Sequence, residues 1–252
     1  MKFLKTLKQF VSPGGIEGYF AAKYAEMAKN TPKIREEYRR LADKTASIVQ
    51  EGRLLEIGPG PGYISIEIAK LLPEMEIIGL DISDTMIEIA EKNAYEDGLS
   101  ERIVFKKGDA SKIPFEDSWF DFVISSGSLH HWKKPIQVFN EIYRVLKQGC
   151  RALIFDLRKD APQEKIKEME NLIDSKIMRW GLRHSFKESY TAQQIEEIIK
   201  NTWFTEFEIK VEKEEECTLE IWLKYVARPP GVKVLKILEP MCRGHFNCST
   251  NE

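Results

Sequence analysis

The stretch Leu54-Leu55-Glu56-Ile57-Gly58-Pro59-Gly60-Pro61-Gly62 joins an apolar run to a loop with glycine at every second position. Residues 63–72, which follow the loop, carry apolar side chains at helical spacing. Alternate glycines allow the backbone to turn freely and bring its N–H groups close to a ligand. A strand, a glycine turn and a helix N-terminus together predict a binding site for a cofactor or an anion.

The spacing of the glycines separates two kinds of nucleotide site. The dinucleotide fingerprint G-x-G-x-x-G needs its third glycine at position 63, where this chain has Tyr63. The chain instead reads E-x-G-x-G-x-G, which resembles the first motif of class I S-adenosylmethionine-dependent methyltransferases. This resemblance implies S-adenosylmethionine as cofactor, S-adenosylhomocysteine as product, and cofactor contacts from Glu56, Gly58, Gly60 and Gly62.

A second apolar run, residues 75–81, closes on a carboxylate at Asp81. A carboxylate at the end of the strand next to a glycine loop can accept hydrogen bonds from both hydroxyls of a ribose. Its alternative role is to cap the following helix, but the polar residues just after it can fill that role as well. We therefore expect Asp81 to bind the ribose, with Ile82 and Met86 also contacting the cofactor.

Two further strands have the order that the resembling family requires. Residues 103–110 contain a strand followed by Asp109 and Ala110, which by resemblance contact the adenine. Residues 119–126 read as a buried central strand, and Ser126 at its end is a further predicted cofactor contact. The Phe-Asp-x-Val and Leu-His-His pattern over residues 120–131 resembles the small-molecule and quinone branch of the family.

Two histidines follow the fourth strand and are the candidate catalytic residues. Methyl transfer from a sulfonium mainly requires alignment of donor and nucleophile and removal of water, so no dedicated triad is expected. If the acceptor is a hydroxyl or an acidic carbon, a base is needed, and His131 or His130 is placed for it. Packing or loop capping by these histidines is the alternative role.

The resemblance spans residues 50–157 and implies an α/β fold. The expected architecture is a Rossmann-like, seven-stranded, mostly parallel sheet with helices on both faces. We expect three parts along the chain: an N-terminal helical cap (1–45), a methyltransferase domain (46–228) and a C-terminal tail (229–252). Cap helices are predicted over residues 16–29 and from Thr31-Pro32 onward. In the family such helices cover the cofactor, and simple packing on the core is the alternative.

The fifth strand, which ends at Asp156, is expected to follow a helix C-cap at Gly149. Beyond it, the sequence predicts a helix over 163–180, a loop over 181–186, a helix capped by Thr191, and strands over 205–211 and 218–226. The two strands would be the antiparallel pair that completes the sheet, and residues 157–190 an inserted helical substrate lid. An ordinary packing helix is the alternative. The candidate substrate contacts are Tyr19, Tyr24, Trp132, Arg179, Trp180, Arg183 and His184.

Length, charge and cysteine content limit the other possibilities. With 252 residues, 42% of them hydrophobic, the chain can bury one sizeable core. The formal charge of −2 provides no broad basic field, so we expect a small-molecule acceptor and no nucleic acid. No apolar run reaches the roughly 18 residues of a membrane span, and we expect a soluble, cytoplasmic monomer or homodimer. We expect no functional metal site; Cys242, His245 and Cys248 have a suggestive spacing but lack a fourth ligand nearby.

Three rival functions remain to be weighed against a small-molecule methyltransferase. A catalytically silent, methyltransferase-like subunit would bind the cofactor without turnover. An NAD-dependent short-chain dehydrogenase would use a Tyr-x-x-x-Lys dyad, but Tyr19 and Lys23 precede the glycine loop, whereas that family has the dyad long after it. Nucleobase amino methylation is disfavoured because residues 125–128 read Ser-Ser-Gly-Ser instead of an Asn/Asp-Pro-Pro-aromatic motif.

Overall fold

The computed structural model describes residues 15–211 and 217–227. Within these ranges helices and strands alternate from β1 to β3, and two short 3₁₀ turns at Ala110–Lys112 and Leu129–His131 follow β3 and β4. The elements are α1 (Gly18–Asn30), α2 (Pro32–Ala46), β1 (Gly52–Ile57), α3 (Tyr63–Leu71), β2 (Met75–Asp81), α4 (Asp84–Glu96), β3 (Ile103–Lys107), β4 (Phe120–Ser126), α5 (Pro135–Val145), β5 (Leu146–Leu157), α6 (Gln163–Asn171), α7 (Lys176–Glu188), α8 (Ala192–Lys200), β6 (Glu206–Lys210) and β7 (Thr218–Lys224).

The strands form one seven-stranded sheet in the order β3-β2-β1-β4-β5-β7-β6. Strands β1 to β5 are parallel, and β7 runs antiparallel to both of its neighbours. This confirms the expected mostly parallel sheet closed by an antiparallel pair. Ile57 at the end of β1 lies beside Leu80 of β2 and Ser125 of β4. The loops after these three strands therefore meet at one edge, where α/β sheets bind ligands.

Both faces of the sheet are covered by helices. Successive side chains of a strand point to opposite faces, so Leu54 and Leu55, both fully buried, belong to different cores. The core on the Leu54 side includes residues of α2, α3 and α4. The core on the Leu55 side includes residues of α5 and α8. Two-sided burial explains why the central strands read as almost continuous apolar runs.

Helix α2 packs into the core on the Leu54 side of the sheet. Its Leu41 and Ala42 are fully buried in the same core as Leu54. Its Arg40 and Lys44 pair with Glu220, a buried carboxylate on β7, and the Arg40 Nη1 to Glu220 Oε1 distance is 3.0 Å. The predicted boundary at residues 45/46 therefore does not separate two cores.

Three local expectations differ from the structure. The predicted helix over 163–180 is two helices, because Ser175 accepts a hydrogen bond from the Met178 N–H and starts α7 there. Residues 181–186, predicted as a loop, lie within α7, where the buried Gly181 has no side chain to obstruct packing. Gly149 has a positive φ of 84° but lies inside β5, which follows α5 without an intervening cap.

Other local signals are confirmed. Helix α2 has Pro32 in its first turn, and Thr191 forms a capping box with Gln194 at the start of α8. Strands β6 and β7 lie within the predicted ranges. No described helix combines the length and the apolar character that a bilayer crossing requires. The C-terminal residues Cys242, His245 and Cys248 lie outside the described residues.

Candidate functional site

A cavity of about 1180 Å³ opens at the carboxyl ends of β1, β2 and β4. We call the part formed by the glycine loop and the ends of β2, β3 and β4 the cofactor end. We call the part formed by α1, α2, α6, α7 and the end of β5 the acceptor chamber. The volume exceeds the roughly 300–1,000 Å³ of a typical small-ligand site, so the cavity has room for two molecules.

The three glycines of the loop all have positive φ, but their surroundings differ. A Cβ on Gly58 would lie 2.7 Å from the Ser128 Cβ, and one on Gly62 would lie 2.8 Å from the Phe105 ring. A Cβ on Gly60 would meet only the Tyr24 ring, at 3.9 Å. Gly60 thus borders open space beneath Tyr24, whereas Gly62 is a packing residue away from the cavity wall.

Asp81 joins the loop to the second strand. Its Oδ2 accepts a hydrogen bond from the Gly60 N–H at 3.0 Å, and its Oδ1 accepts one from the Ser83 N–H at 3.0 Å. Burial raises the pKa of Asp81, and these backbone bonds oppose the increase. Ser83, not Asp81, caps α4 by accepting the Met86 N–H. A carboxylate has about four acceptor positions, so acceptor capacity remains for a ligand hydroxyl.

Glu56 is a buried carboxylate at the same end of the cavity. Its Oε2 accepts the Ser65 N–H at 3.0 Å and also the Ser65 hydroxyl. Burial raises the pKa of Glu56 to about 7, although both bonds from Ser65 favour its ionised form. A cationic ligand beside it would shift the balance further toward ionisation.

His130 and Asp156 form a buried pair where β4 and β5 end. The His130 Nδ1 lies 2.7 Å from the Asp156 Oδ1, and the two side chains are 4% and 2% exposed. The Asp156 carboxylate also accepts backbone N–H bonds from Leu157 and His130. With an N–H on Nδ1, the His130 ring is the third donor to this carboxylate, and the pair fixes the orientation of the ring. The His130 Nε2 is buried without a hydrogen-bond partner among the described residues.

His131 lies beside this pair but in a different environment. Its ring centroid is 4.0 Å from that of His130, and its surface is open to the cavity. The protein around the cavity lowers the pKa of His131 to about 3, chiefly by desolvation, and His130 contributes to the shift. His131 is therefore neutral at physiological pH and a weak proton acceptor.

Comparison with known proteins identifies the family. The family model described as "Methyltransferase domain" matches residues 48–210. An uncharacterised methyltransferase, YcgJ, of Bacillus subtilis (strain 168) is 31% identical over 180 residues, which are 69% of each chain. The chain belongs to the S-adenosylmethionine-dependent methyltransferases.

Two further matches agree with this family. The ubiquinone/menaquinone biosynthesis C-methyltransferase UbiE of Geotalea daltonii (strain DSM 22248 / JCM 15807 / FRC-32) is 31% identical over 124 residues, 49% of this chain and about half (53%) of that relative. A crystal structure from Methanococcus maripaludis, described as a proposed S-adenosylmethionine-dependent methyltransferase, aligns with a TM-score of 0.65 at 25% identity. That alignment covers 83% of this chain and 94% of the other. The resemblance to class I methyltransferases, including the quinone branch, is confirmed, and the NAD-dependent dehydrogenase alternative is wrong.

The cofactor end of this methyltransferase suits S-adenosylmethionine. The acceptor capacity left on Asp81 suits a ribose hydroxyl, and the open side of Gly60 allows close approach to its backbone. All the predicted cofactor residues except Gly62 line the cavity: Glu56, Gly58, Gly60, Asp81, Ile82, Met86, Asp109, Ala110 and Ser126. Asp109 caps the following 3₁₀ turn through a 2.8 Å bond from the Ser111 N–H and keeps its other oxygen for a ligand.

The predicted acceptor contacts divide into two groups. Tyr24, Trp132 and His184 line the cavity of the methyltransferase, whereas Tyr19, Arg179, Trp180 and Arg183 do not. Tyr19 is 65% exposed on α1.

The three α7 residues miss the cavity because this segment is a helix. One face of α7, with Met178, Leu182 and Ser185, lines the chamber. On the other side Arg183 pairs with Glu170, and Arg179 donates to the Ile173 carbonyl. Trp180 stacks on His184 with ring centroids 5.5 Å apart.

Two features of the methyltransferase site were missed from the sequence. Asp156 was recognised only as the end of a strand, although a third carboxylate at the end of a parallel strand was a usable signal. Tyr38 lines the chamber and shares a side-chain hydrogen bond with Tyr24, and burial raises the pKa of both phenols. Nothing in the local sequence pairs these tyrosines, because they lie on different helices. The described residues contain no group of three or more metal-binding side chains.

Proposed function

We propose that this methyltransferase methylates a small, largely apolar molecule at an acidic hydroxyl or at the ring carbon next to it. The observation that carries the proposal is the His130–Asp156 pair, with the buried His130 Nε2 left without a described hydrogen-bond partner. A histidine whose Nδ1 is held by a carboxylate presents Nε2 as a proton acceptor, which is the arrangement of a general base.

The acceptor chamber supports an apolar acceptor. Its wall includes Phe155, Leu157, Met169, Met178 and Leu182, and methionine side chains adapt to irregular ligands. Charged side chains such as Lys33, Lys133 and Glu168 also border the cavity, and all three are exposed. An apolar body with a few polar groups is what such a site accommodates.

The chemistry requires removal of one proton from the acceptor. S-adenosylmethionine supplies an activated methyl group on a sulfonium and leaves as S-adenosylhomocysteine. His130 Nε2 accepts the proton as the acceptor O–H bond breaks and the new bond to methyl forms. Asp156 holds the resulting imidazolium through Nδ1. The neutral His131 is better suited to contact the acceptor than to act as the base, since its pKa of about 3 is far from the operating pH.

The test is methyl transfer from isotope-labelled S-adenosylmethionine to a panel of acceptors. The panel contains hydroxylated naphthalenes and quinols, together with amines and thiols of similar size. We expect methylation of the hydroxylated aromatics at oxygen or the adjacent carbon, identified by mass spectrometry and NMR. Transfer confined to amines or thiols would contradict the proposal.

Two variants distinguish the roles of His130 and His131. His130→Gln should lower kcat by about 10²–10⁴-fold while the cofactor Kd stays within about twofold. His131→Gln, the matched control next to it, should raise the acceptor KM more than it lowers kcat. Equal kcat losses in both variants would argue against the base assignment. Cofactor binding without transfer to any acceptor would instead favour the catalytically silent alternative.

A further inference from the structure

Glu17, the residue just before α1, is bonded to the first turn of α4. Its Oε1 accepts the Asp84 N–H at 3.1 Å, and its Oε2 accepts the Thr85 N–H at 3.2 Å and the Thr85 hydroxyl at 2.6 Å. The first N–H groups of a helix have no partners within the helix, and the helix dipole favours a negative charge there. Glu17 thus provides hydrogen-bond acceptors and a negative charge at the start of α4, although it lies far from that helix in the sequence.

Further contacts reinforce this attachment. The Gly18 N–H donates to the Thr85 Oγ1 at 3.0 Å, and the Ser83 hydroxyl donates to the Ile16 carbonyl at 2.8 Å. A Cβ on Gly15 would lie only 2.9 Å from the Ile82 Cγ2. Residues 15–18 therefore lie directly on the start of α4, and we call these contacts the α1–α4 clamp.

The clamp lies at the cofactor end of the cavity. Asp81, Ile82 and Met86, around the start of α4, line the cavity together with Ile16 on the other side of the clamp. Residues 15–18 of the clamp were not singled out by the glycine loop or by the strand ends. The clamp therefore adds a second wall to a site whose first wall is the sheet edge.

Helix α1 then continues from the clamp to the acceptor chamber. Its Phe20 is buried in a cluster with Ile173 and Met178, and Tyr24 and Met27 pack against that cluster. The same Tyr24 ring lies above Gly60 of the cofactor loop. One helix therefore contacts both parts of the cavity.

We infer that Glu17 is a positioning residue for the cofactor. By fixing the start of α1 to α4, it holds Ile16 and Tyr24 over the cofactor end, so that the cofactor is enclosed between the sheet edge and α1. This rests on the proposed function, in which the cofactor occupies the part of the cavity around Asp81.

A direct effect of the Glu17 charge is the competing explanation, and the two cofactor forms distinguish them. S-adenosylmethionine carries a sulfonium charge, whereas S-adenosylhomocysteine has a neutral sulfur. Attraction by a distant carboxylate would favour the first ligand only. A clamp that shapes the cavity supports both ligands equally.

The experiment measures Kd for both ligands by calorimetry in four variants of the full chain. Glu17→Gln removes the charge, Glu17→Asp keeps the charge but shortens its reach, and Thr85→Val removes the partner hydroxyl. Glu26→Gln is the control, since Glu26 is exposed on the same helix and pairs with Lys23. We expect the first three to raise both Kd values by about three- to tenfold, and the control to change them by less than about twofold.

Coupling and hydrogen exchange give readouts independent of turnover. Because Glu17 and Thr85 share one contact, the Glu17→Asp/Thr85→Val double variant should weaken binding little more than either single variant. Backbone amides of residues 16–30 should exchange faster in Glu17→Gln than in the parent protein and slow when S-adenosylhomocysteine binds.

Two results would overturn the clamp. In the first, Glu17→Gln weakens binding of S-adenosylmethionine but not of S-adenosylhomocysteine, and Glu17→Asp binds both as the parent protein does. That result would indicate a charge effect. The other is unchanged binding and unchanged exchange in Glu17→Gln. If the parent protein bound neither ligand, the proposed function would fail, and exchange at residues 16–30 would still decide whether Glu17 holds α1.

Discussion

The cofactor end and the acceptor chamber of this methyltransferase are built in different ways. The cofactor end uses backbone N–H groups and carboxylates from short segments that each follow a strand, such as residues 56–65 and 81–86. The chamber uses apolar side chains from α1, α6 and α7, which are distant in sequence. A site made of backbone turns constrains its own sequence locally, whereas a site made of packed side chains does not.

The packing around the two parts differs as well. The cofactor end rests on the two large cores that cover the sheet. Helices α6 and α7 pack through two smaller clusters, one with Ile166 and Phe186 and one with Phe20, Ile173 and Met178. Smaller clusters bury less apolar surface and open at a lower free-energy cost. The chamber is therefore expected to open more readily than the cofactor end.

The largest effect of a substitution is expected at the acceptor chamber, where changing Asp156 should lower kcat. Asp156→Asn presents an amide to the His130 Nδ1 and favours the wrong tautomer, so kcat should fall by about 10²–10⁴-fold. Cofactor Kd should change by less than about twofold, since Asp156 is not among the residues that line the cavity. Stopped-flow turnover and calorimetry check the two quantities. A large loss of cofactor affinity would show that the two parts are not separable.

The second largest effect is expected at the cofactor end, where changing Asp81 should lower the affinity for the cofactor. If Asp81 binds the ribose as predicted, Asp81→Asn should weaken binding of S-adenosylhomocysteine by about 10–100-fold, because its charge-assisted bonds to the ribose hydroxyls would be lost. The melting temperature of the free protein should fall as well, because the carboxylate accepts the Gly60 and Ser83 N–H groups. Asp84→Asn is the control, since Asp84 is exposed and pairs with Lys107. Reduced stability with unchanged affinity would make Asp81 a purely structural residue.

A smaller effect is expected in hydrogen exchange over residues 157–190. Amides of α6 and α7 should exchange faster than those of β1 and β4 in the free protein, because their clusters are small. Binding of cofactor and acceptor should slow them by about tenfold or less. Mass spectrometry of peptic peptides measures both quantities. Uniformly slow exchange in the free protein would identify these helices as ordinary packing elements.

The smallest effect is a proton released from Glu56 on cofactor binding. Its pKa of about 7 should fall when a cation binds beside it, so protons leave the protein. At pH 7 the release should be on the order of half a proton, growing toward lower pH and vanishing above about pH 8, where Glu56 is already ionised. Calorimetry in two buffers of different ionisation enthalpy measures it, with Glu56→Gln as the control. Equal release by both proteins would exclude Glu56 as the source.

The accuracy of the sequence predictions follows the same division. The seven-stranded sheet was implied by the family resemblance. The glycine loop and the wall position of Asp81 were predictable because each depends on residues adjacent in the chain. The predicted break at Gly181 was wrong, because glycine also occurs where a helix must pack closely. That error placed Arg183 in a loop, whereas Arg179 and Trp180, predicted on a helix, lie on the face of α7 away from the cavity.

The sequence by itself indicated the family through the motif that it resembles, and with the family the cofactor and a mostly parallel sheet, because a glycine turn after a strand is a local property of the chain. Only the tertiary structure decided that Asp156 holds His130, that Tyr24 lies over Gly60, and that Glu17 accepts the first N–H groups of α4. Each of these contacts joins segments far apart in the chain. These side chains come into contact because the sheet and its two cores bring the segments together. No local sequence pattern predicts such contacts.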